Sequence, residues 1–242
     1  MTALVGAELL KARTTRTAFG LLLGLLAIVA LFVTVQAFTV DPARAAAPTR
    51  DTLDPTGFAP FFALLFGILA TTGEWRHGTI SQTFLVTPRR VYVIAAKVVA
   101  GALVGVALAV VASALALAIA AIGLPANGVT FDAGEAFGFV GKIVGAALLW
   151  GALGAGIGAV VANQVGAVIA TLAELFVVES IVAGIRPHVG QWLPGQAMFN
   201  GLLAHGGGSD HLAPGAGAAV TVAYLAAFAA AGVALTVRRD VT

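Results

Sequence analysis

Glu174 and Glu179 are two carboxylic acids set inside an otherwise apolar run, TLAELFVVESIVAG. A charge at the centre of a bilayer costs about 2.5–3.5 kcal/mol on insertion scales, so such residues face protein or water. Two chemistries fit them: a polar lining or proton site on a translocation path, or hydrogen-bonded packing between helices. Five positions along an ideal α-helix advance about 140° around its axis, so the pair need not share a face. The second group is GEWRHGTISQTFLVTPRR, Gly73 to Arg90, a polar island headed by Glu74, Trp75, Arg76, His77, Gly78 and Thr79. A third gathers His188, His205 and His211 with Asp210. Zinc chemistry would want H-E-x-x-H or an i, i+4 histidine pair; neither is present, and Gly206–Gly208 between them points to a solvated loop. Ser180 and Ser209 have no surroundings that specify a nucleophile. A phosphate cradle needs G-x-x-x-x-G-K-[ST], but ahead of Gly141–Lys142 the first glycine is Ala136, and Ile143 replaces the hydroxyl. There is no cysteine for thiol or Fe–S chemistry. The chain is therefore expected to be no enzyme and to hold no cofactor or metal of its own.

The elements that position these groups are membrane helices. Of 242 residues, 60% are hydrophobic and only 10% charged, with mean hydropathy +1.00. That leaves too little polar surface to cover a soluble globule. A bilayer core about 30 Å thick takes roughly 20 apolar residues per helix. Six segments qualify: Phe19–Phe38, Gly57–Thr72, Val98–Ile122, Phe139–Val161, Val165–Ile185 and Gly215–Val237. Pro60 falls in the first turn of the second, where a missing N–H is tolerated. The third extends back towards Val91 as an interfacial turn with Lys97 snorkelling. The first run is too long for a signal-peptide core and has no small-x-small cleavage site behind it, so it reads as a retained span.

Counting Lys and Arg in alternate loops sets the orientation. One side has nine (Lys11, Arg13, Arg16, Arg76, Arg89, Arg90, Lys97, Arg238, Arg239) and the other four (Arg44, Arg50, Lys142, Arg186), with most acids on the latter. Both termini and the island are expected in the cytoplasm. Net charge is +2, but its scatter over separate loops argues against nucleic-acid binding. Small-xxx-small pairs at Gly20/Gly24, Gly101/Gly105, Gly141/Gly145 and Gly154/Gly158 would let helices approach closely.

Residues 1–17 read as a short interfacial helix, with Leu4, Val5, Leu9 and Ala12 on one face and Glu8, Lys11 and Arg13 flanking it. Lys11, Arg13 and Arg16 there, with Arg89 and Arg90 at the end of the island, are expected as basic contacts with the membrane interface. In the island, Gly78 turns the chain and Thr79 or Ser81 caps a short helix. Ile80, Phe84 and Leu85 give that helix an apolar face, and Pro88 ends it at Thr87. Asn163 and Gln164 make a tight polar turn between spans four and five. Trp192 marks the outer interface, and Met198 and Phe199 are packing residues.

At GEWRHGTI, followed by TPRR, the sequence resembles the first cytoplasmic loop of ABC-2-type transporter permeases, particularly short single-domain actinobacterial ones. ELLKARTTRTAFGLLL, LFVVES and WLPG are similar to other segments of that family, so the resemblance covers most of the chain. It implies one all-α domain, 1–242: six transmembrane helices, an N-terminal interfacial helix and a coupling helix between spans two and three within 73–90. It further implies re-entrant outer helices before span six, within 186–214. Carried over by motif, Glu74, Arg76, Gly78 and Thr79 belong to the transmission loop, with Trp75 at a position commonly Tyr. The implied partners are two ATPase subunits, which would bind ATP and Mg, and a second permease copy or paralogue. The function implied is export of an amphipathic or hydrophobic substrate across the plasma membrane. Two other readings stay open on the residues alone: a proton-coupled transporter or channel using Glu174 and Glu179, and a non-transporting immunity or anchor subunit.

Overall fold

The computed structural model describes residues 1–41, 47–203 and 212–238. Arg44, His205, Asp210, His211 and Arg239, together with part of the outer segment, lie outside the described residues. Among the described residues every element is helical. α1 (Thr2–Thr14) is separated by an extended Thr15 from α2 (Arg16–Thr39). α3 (Pro48–Leu53) runs through a tight turn at Asp54–Gly57 into α4 (Phe58–Arg76). α5 (Ile80–Val86) precedes α6 (Arg90–Ala126) and α7 (Ala133–Val161). α8 (Gln164–Ala173) widens into a π-helical stretch, Glu174–Val178, and continues as α9 (Glu179–Ile185). α10 (Pro187–Gly190), α11 (Pro194–Gln196) with its π-helical extension Ala197–Leu202, and α12 (Pro214–Arg238) follow.

Six of these helical stretches are long and apolar enough to cross a membrane: Arg16–Thr39, Pro48–Arg76, Arg90–Ala126, Ala133–Val161, Gln164–Ile185 and Pro214–Arg238. They contain the six segments read from sequence. The chain is a multi-pass, all-helical membrane protein. At 37 residues α6 is about 55 Å long, well beyond the roughly 30 Å hydrocarbon core, so its Arg90 end stands clear of the apolar slab. It is helical from Arg90 onward, where an interfacial turn was expected.

α7 is the hub. Two thirds of its most apolar window (67%) is buried, against 11% for α8–α9 and for α12. It packs against α4, α6 and α12. Lipid tails are as apolar as leucine, so close backbone approach must hold these helices together. Glycine supplies it: a Cβ on Gly101 or Gly105 would run into the backbone of Gly151 or Ala147, and one on Gly154 into Leu64 of α4. Gly158 likewise faces Ile68 and Thr71. Two of the four expected small-residue pairs are therefore helix contacts within the chain. Gly141 and Gly145 have nothing near them, nor has Gly20; Gly24 meets only the Phe62 ring. Trp150 lies fully buried at the centre and meets Phe199 edge-on at 5.6 Å.

α2 packs on α6 through Leu25, Val29, Val33 and Ala37, a four-residue spacing that makes one stripe. Its other faces carry exposed Leu23, Leu31, Phe32 and Val35, the surface a lipid-facing helix presents. At the end of the bundle remote from α1, Arg50 of α3 donates to the Leu203 carbonyl at 2.5 Å and lies over the Phe139 ring. Asp132 caps α7 by accepting from the Glu135 N–H at 3.0 Å.

Candidate functional site

The chemistry gathers where α1 meets the ends of α4 and α6. α1 turns Leu4, Val5, Glu8, Leu9 and Ala12 towards the bundle. Glu8 thus stands in the middle of the apolar face, not on its flank as expected. It reaches Lys97 of α6 at 2.9 Å and Lys11 at 2.6 Å. Glu74 of α4 accepts from the same two lysines, Lys11 at 2.7 Å and Lys97 at 2.8 Å. The four side chains close a neutral ring of alternating sign across three helices. Lys97 does not snorkel: its side chain is only 2% exposed. A lysine so buried is stable as a cation only with acids on it, and here it has two. Burial lowers the Lys11 pKa, but the hydrogen bonds from its ammonium to Glu74 and Glu8 outweigh that, and the net shift is upward.

The rest of the island follows Glu74 directly. Trp75 packs inward, while Arg76, His77, Gly78 and Thr79 are exposed. Gly78 has φ +69°, a left-handed turn that a side chain resists, so the expected chain reversal falls there. Thr79 takes the N-cap position of α5, but its side chain makes no capping bond. Ile80 and Phe84 are buried against Val93 of α6 and Trp75. Leu85 departs from expectation: it is 83% exposed, and Val86 beside it 85%. Thr87 is extended ahead of Pro88, as the proline demands. Arg90 does not reach for headgroups; it lies 4.9 Å over the Phe84 ring and donates to the Thr236 carbonyl at 2.6 Å. Arg89 approaches Tyr92, and Arg13 and Arg16 are exposed. Arg76 donates to Gln164 Oε1 at 3.2 Å, linking the island to the first residue of α8. Asn163 caps α8 by accepting from the Gly166 N–H at 2.8 Å. A cleft of about 680 Å³ opens among α1, α4, α5 and the start of α8.

The second candidate group sits in the opposite half of the span. After α9 the chain doubles back, so Gly190 lies against Ala183 and Gly195 against Glu179 and Leu175. Glu179 is 1% exposed and accepts from the backbone N–H of Gly195 at 2.7 Å and of Gln196 at 2.8 Å. Those are two of the N–H groups that the start of a helix leaves without a partner. Glu179 thus caps α11 from a neighbouring helix. The ideal-helix angle between Glu174 and Glu179 does not apply, because the π-helical turn between them closes i→i+5.

Glu74 and Arg76 are brought together with Lys11, Glu8, Lys97 and Gln164, while Glu174 and Glu179 form a separate pair. Sequence reasoning assigned no role to Glu8 and mistook that of Lys97. The available signal was charge balance: one acid and one base, each inside an apolar stretch near the same interface, ask for one another. No family model, curated protein or solved structure matches the chain.

Proposed function

We propose that this chain is the membrane-spanning permease subunit of an ATP-driven exporter of the ABC-2 type, with both termini and α5 on the cytoplasmic side of the plasma membrane. The observation that carries this reading is α5. It is a seven-residue helix fixed to the ends of two spans through Ile80 and Phe84, with Leu85 and Val86 left bare at its tip. An apolar tip on a polar loop, held by buried anchors, is suited to receive a soluble partner and pass on its movement. In this reading two ATPase subunits press on α5 as they bind ATP and Mg. The push reaches α6 through Val93 and α4 through Trp75, and α1 follows because the charged ring fastens it to both.

Energy would come wholly from the partner, and the moving parts would be helices of two permease copies meeting at a sparsely buried face. α8–α9 and α12 offer such faces, with Phe176, Val177 and Ile181 exposed on the former. The chain's doubling back after α9 supports re-entrant outer helices. The proton-coupled alternative draws less support, because both Glu179 oxygens already accept backbone N–H groups.

The test is co-purification from native membranes with a tagged chain. An ATPase with a phosphate-binding loop is expected in the eluate. Leu85→Asp with Val86→Asp should abolish its recovery without lowering the yield of the folded chain, since neither side chain is buried. Undiminished recovery of the ATPase, or the recovery of none from wild type, sinks the reading.

A further inference from the structure

The cleft of about 680 Å³ beside the charged ring is large for a surface irregularity and falls in the range of small-molecule sites. Its walls are sorted by polarity. Towards the end of α4 stand Arg76, His77 and the hydroxyls of Thr15 and Thr17; deeper along α4 the lining is Phe66 and Leu69. Among the described residues the only acids on it are Glu8 and Glu74, and the ring already sets both against Lys11 and Lys97. Arg76 meets only the neutral Gln164 amide among the described side chains, which leaves a positive charge at the mouth. Depth matters as well. Phe66 and Leu69 belong to the apolar length of a spanning helix and Arg76 is its last residue, so the cleft straddles the boundary between headgroups and hydrocarbon.

We infer that this cleft is a binding site for one anionic membrane phospholipid, its phosphate at Arg76 and the Thr17 hydroxyl, its glycerol and first methylenes along Leu69 and Phe66. A guanidinium with a hydroxyl donor beside it is the pairing phosphate oxygens favour. The apolar depth is what separates a lipid from a soluble phosphate, which would leave that wall wet. The reading is independent of the ATPase assignment, because it concerns only what the chain holds in a bilayer.

The experiment is native mass spectrometry on the full-length chain, stripped of lipid in detergent and titrated with phosphatidylglycerol, phosphatidylcholine or glycerol 3-phosphate. One phosphatidylglycerol per chain is expected, held in preference to phosphatidylcholine. Arg76→Gln should weaken it roughly fivefold, which is about 1 kcal/mol for one basic group at an anionic headgroup. Gln82→Glu, which adds a negative charge to the cleft wall at an exposed position, should do the same if Arg76→Gln folds poorly. Arg186→Gln, outside the cleft and exposed after α9, should leave retention unchanged. Equal retention by wild type, Arg76→Gln and Gln82→Glu overturns the assignment. So does displacement of the lipid by an equal concentration of glycerol 3-phosphate, which would make this a soluble-phosphate site. Loss of the lipid whenever a partner protein is bound would overturn it in favour of a protein groove.

Discussion

Lys97 and Lys11 hold the same two acids, yet they should not matter equally. Removing one member of a buried ion pair strands the other and destabilises by about 3–5 kcal/mol, whereas an exposed pair contributes about 1 kcal/mol or less. Lys97 is 2% exposed and Lys11 47%. Lys97→Met should therefore lower the unfolding midpoint in detergent far more than Lys11→Met does; equal losses would mean that the ring is not buried in the membrane-embedded protein. Lys11 adds a dependence on pH. Its pKa is raised on folding above the ordinary lysine value of 10.5, so what it contributes is fully present below that value. The contribution fades only as pH climbs through the higher, folded pKa. A fluorophore on Ala3→Cys should accordingly report a docked α1 from neutrality to about pH 10, with release above; release already at neutrality would contradict the Lys11 geometry. At the other carboxyl, Glu179→Ala strips two backbone N–H groups of their acceptor and should destabilise by about 2–3 kcal/mol. Glu179→Gln keeps an acceptor in place and should forfeit less than half of that. If the amide abolished folding outright, charge and not hydrogen bonding would be the cap's main ingredient.

Helix contacts made by backbone leave no room for a methyl group. Gly154→Ala would drive a Cβ into the Leu64 carbonyl, and Gly105→Ala into that of Ala147. Overpacking of this kind costs about 1–3 kcal/mol, and more where backbone must yield. Gly141→Ala meets nothing and should be neutral or slightly stabilising, because alanine is the better helix former. Thermal unfolding of the three variants separates them, and equal midpoints would contradict the α4–α7–α6 packing. From sequence, all of these glycines looked alike: spacing marks a candidate face but not which partner it finds. The spans were legible, since a run of about 20 apolar residues has few other uses. So were the Gly78 reversal and the Pro88 stop, which follow from local backbone chemistry. The ring was not, because its members are separated by as many as 89 residues and pairing at that distance leaves no local pattern. Nor was the π-helical turn at Glu174–Val178, whose extra residue per turn has no signature in composition; it alone changes which face Glu174 shares.

For the molecule as a whole, the hub arrangement decides which surfaces remain for others. α7 is enclosed by its neighbours, so lipid or a second copy must meet α2, α8–α9 and α12. Because the chain has no cysteine, single cysteines can be introduced without background. Gln82→Cys in α5 and Trp192→Cys after α10 lie at opposite ends of the bundle, and both sites are exposed. In sealed, right-side-out vesicles an impermeant maleimide should label the Trp192 site at once and the Gln82 site only after permeabilisation. The reverse pattern would invert the orientation and remove α5 from any cytoplasmic partner.

The ring of Glu8, Lys11, Glu74 and Lys97 also has a place in time. Glu8 precedes Lys97 by 89 residues, so it leaves the ribosome roughly 5–20 s earlier at ordinary translation speeds. Throughout that interval the N-terminal helix has no buried counter-charge and must wait at the headgroups, where water still solvates its acid. It can settle only once the third hydrophobic segment has been threaded and Lys97 has come to rest. The docking of α1 is thus a record, written by the nascent chain itself, that the helix carrying Lys97 is in place.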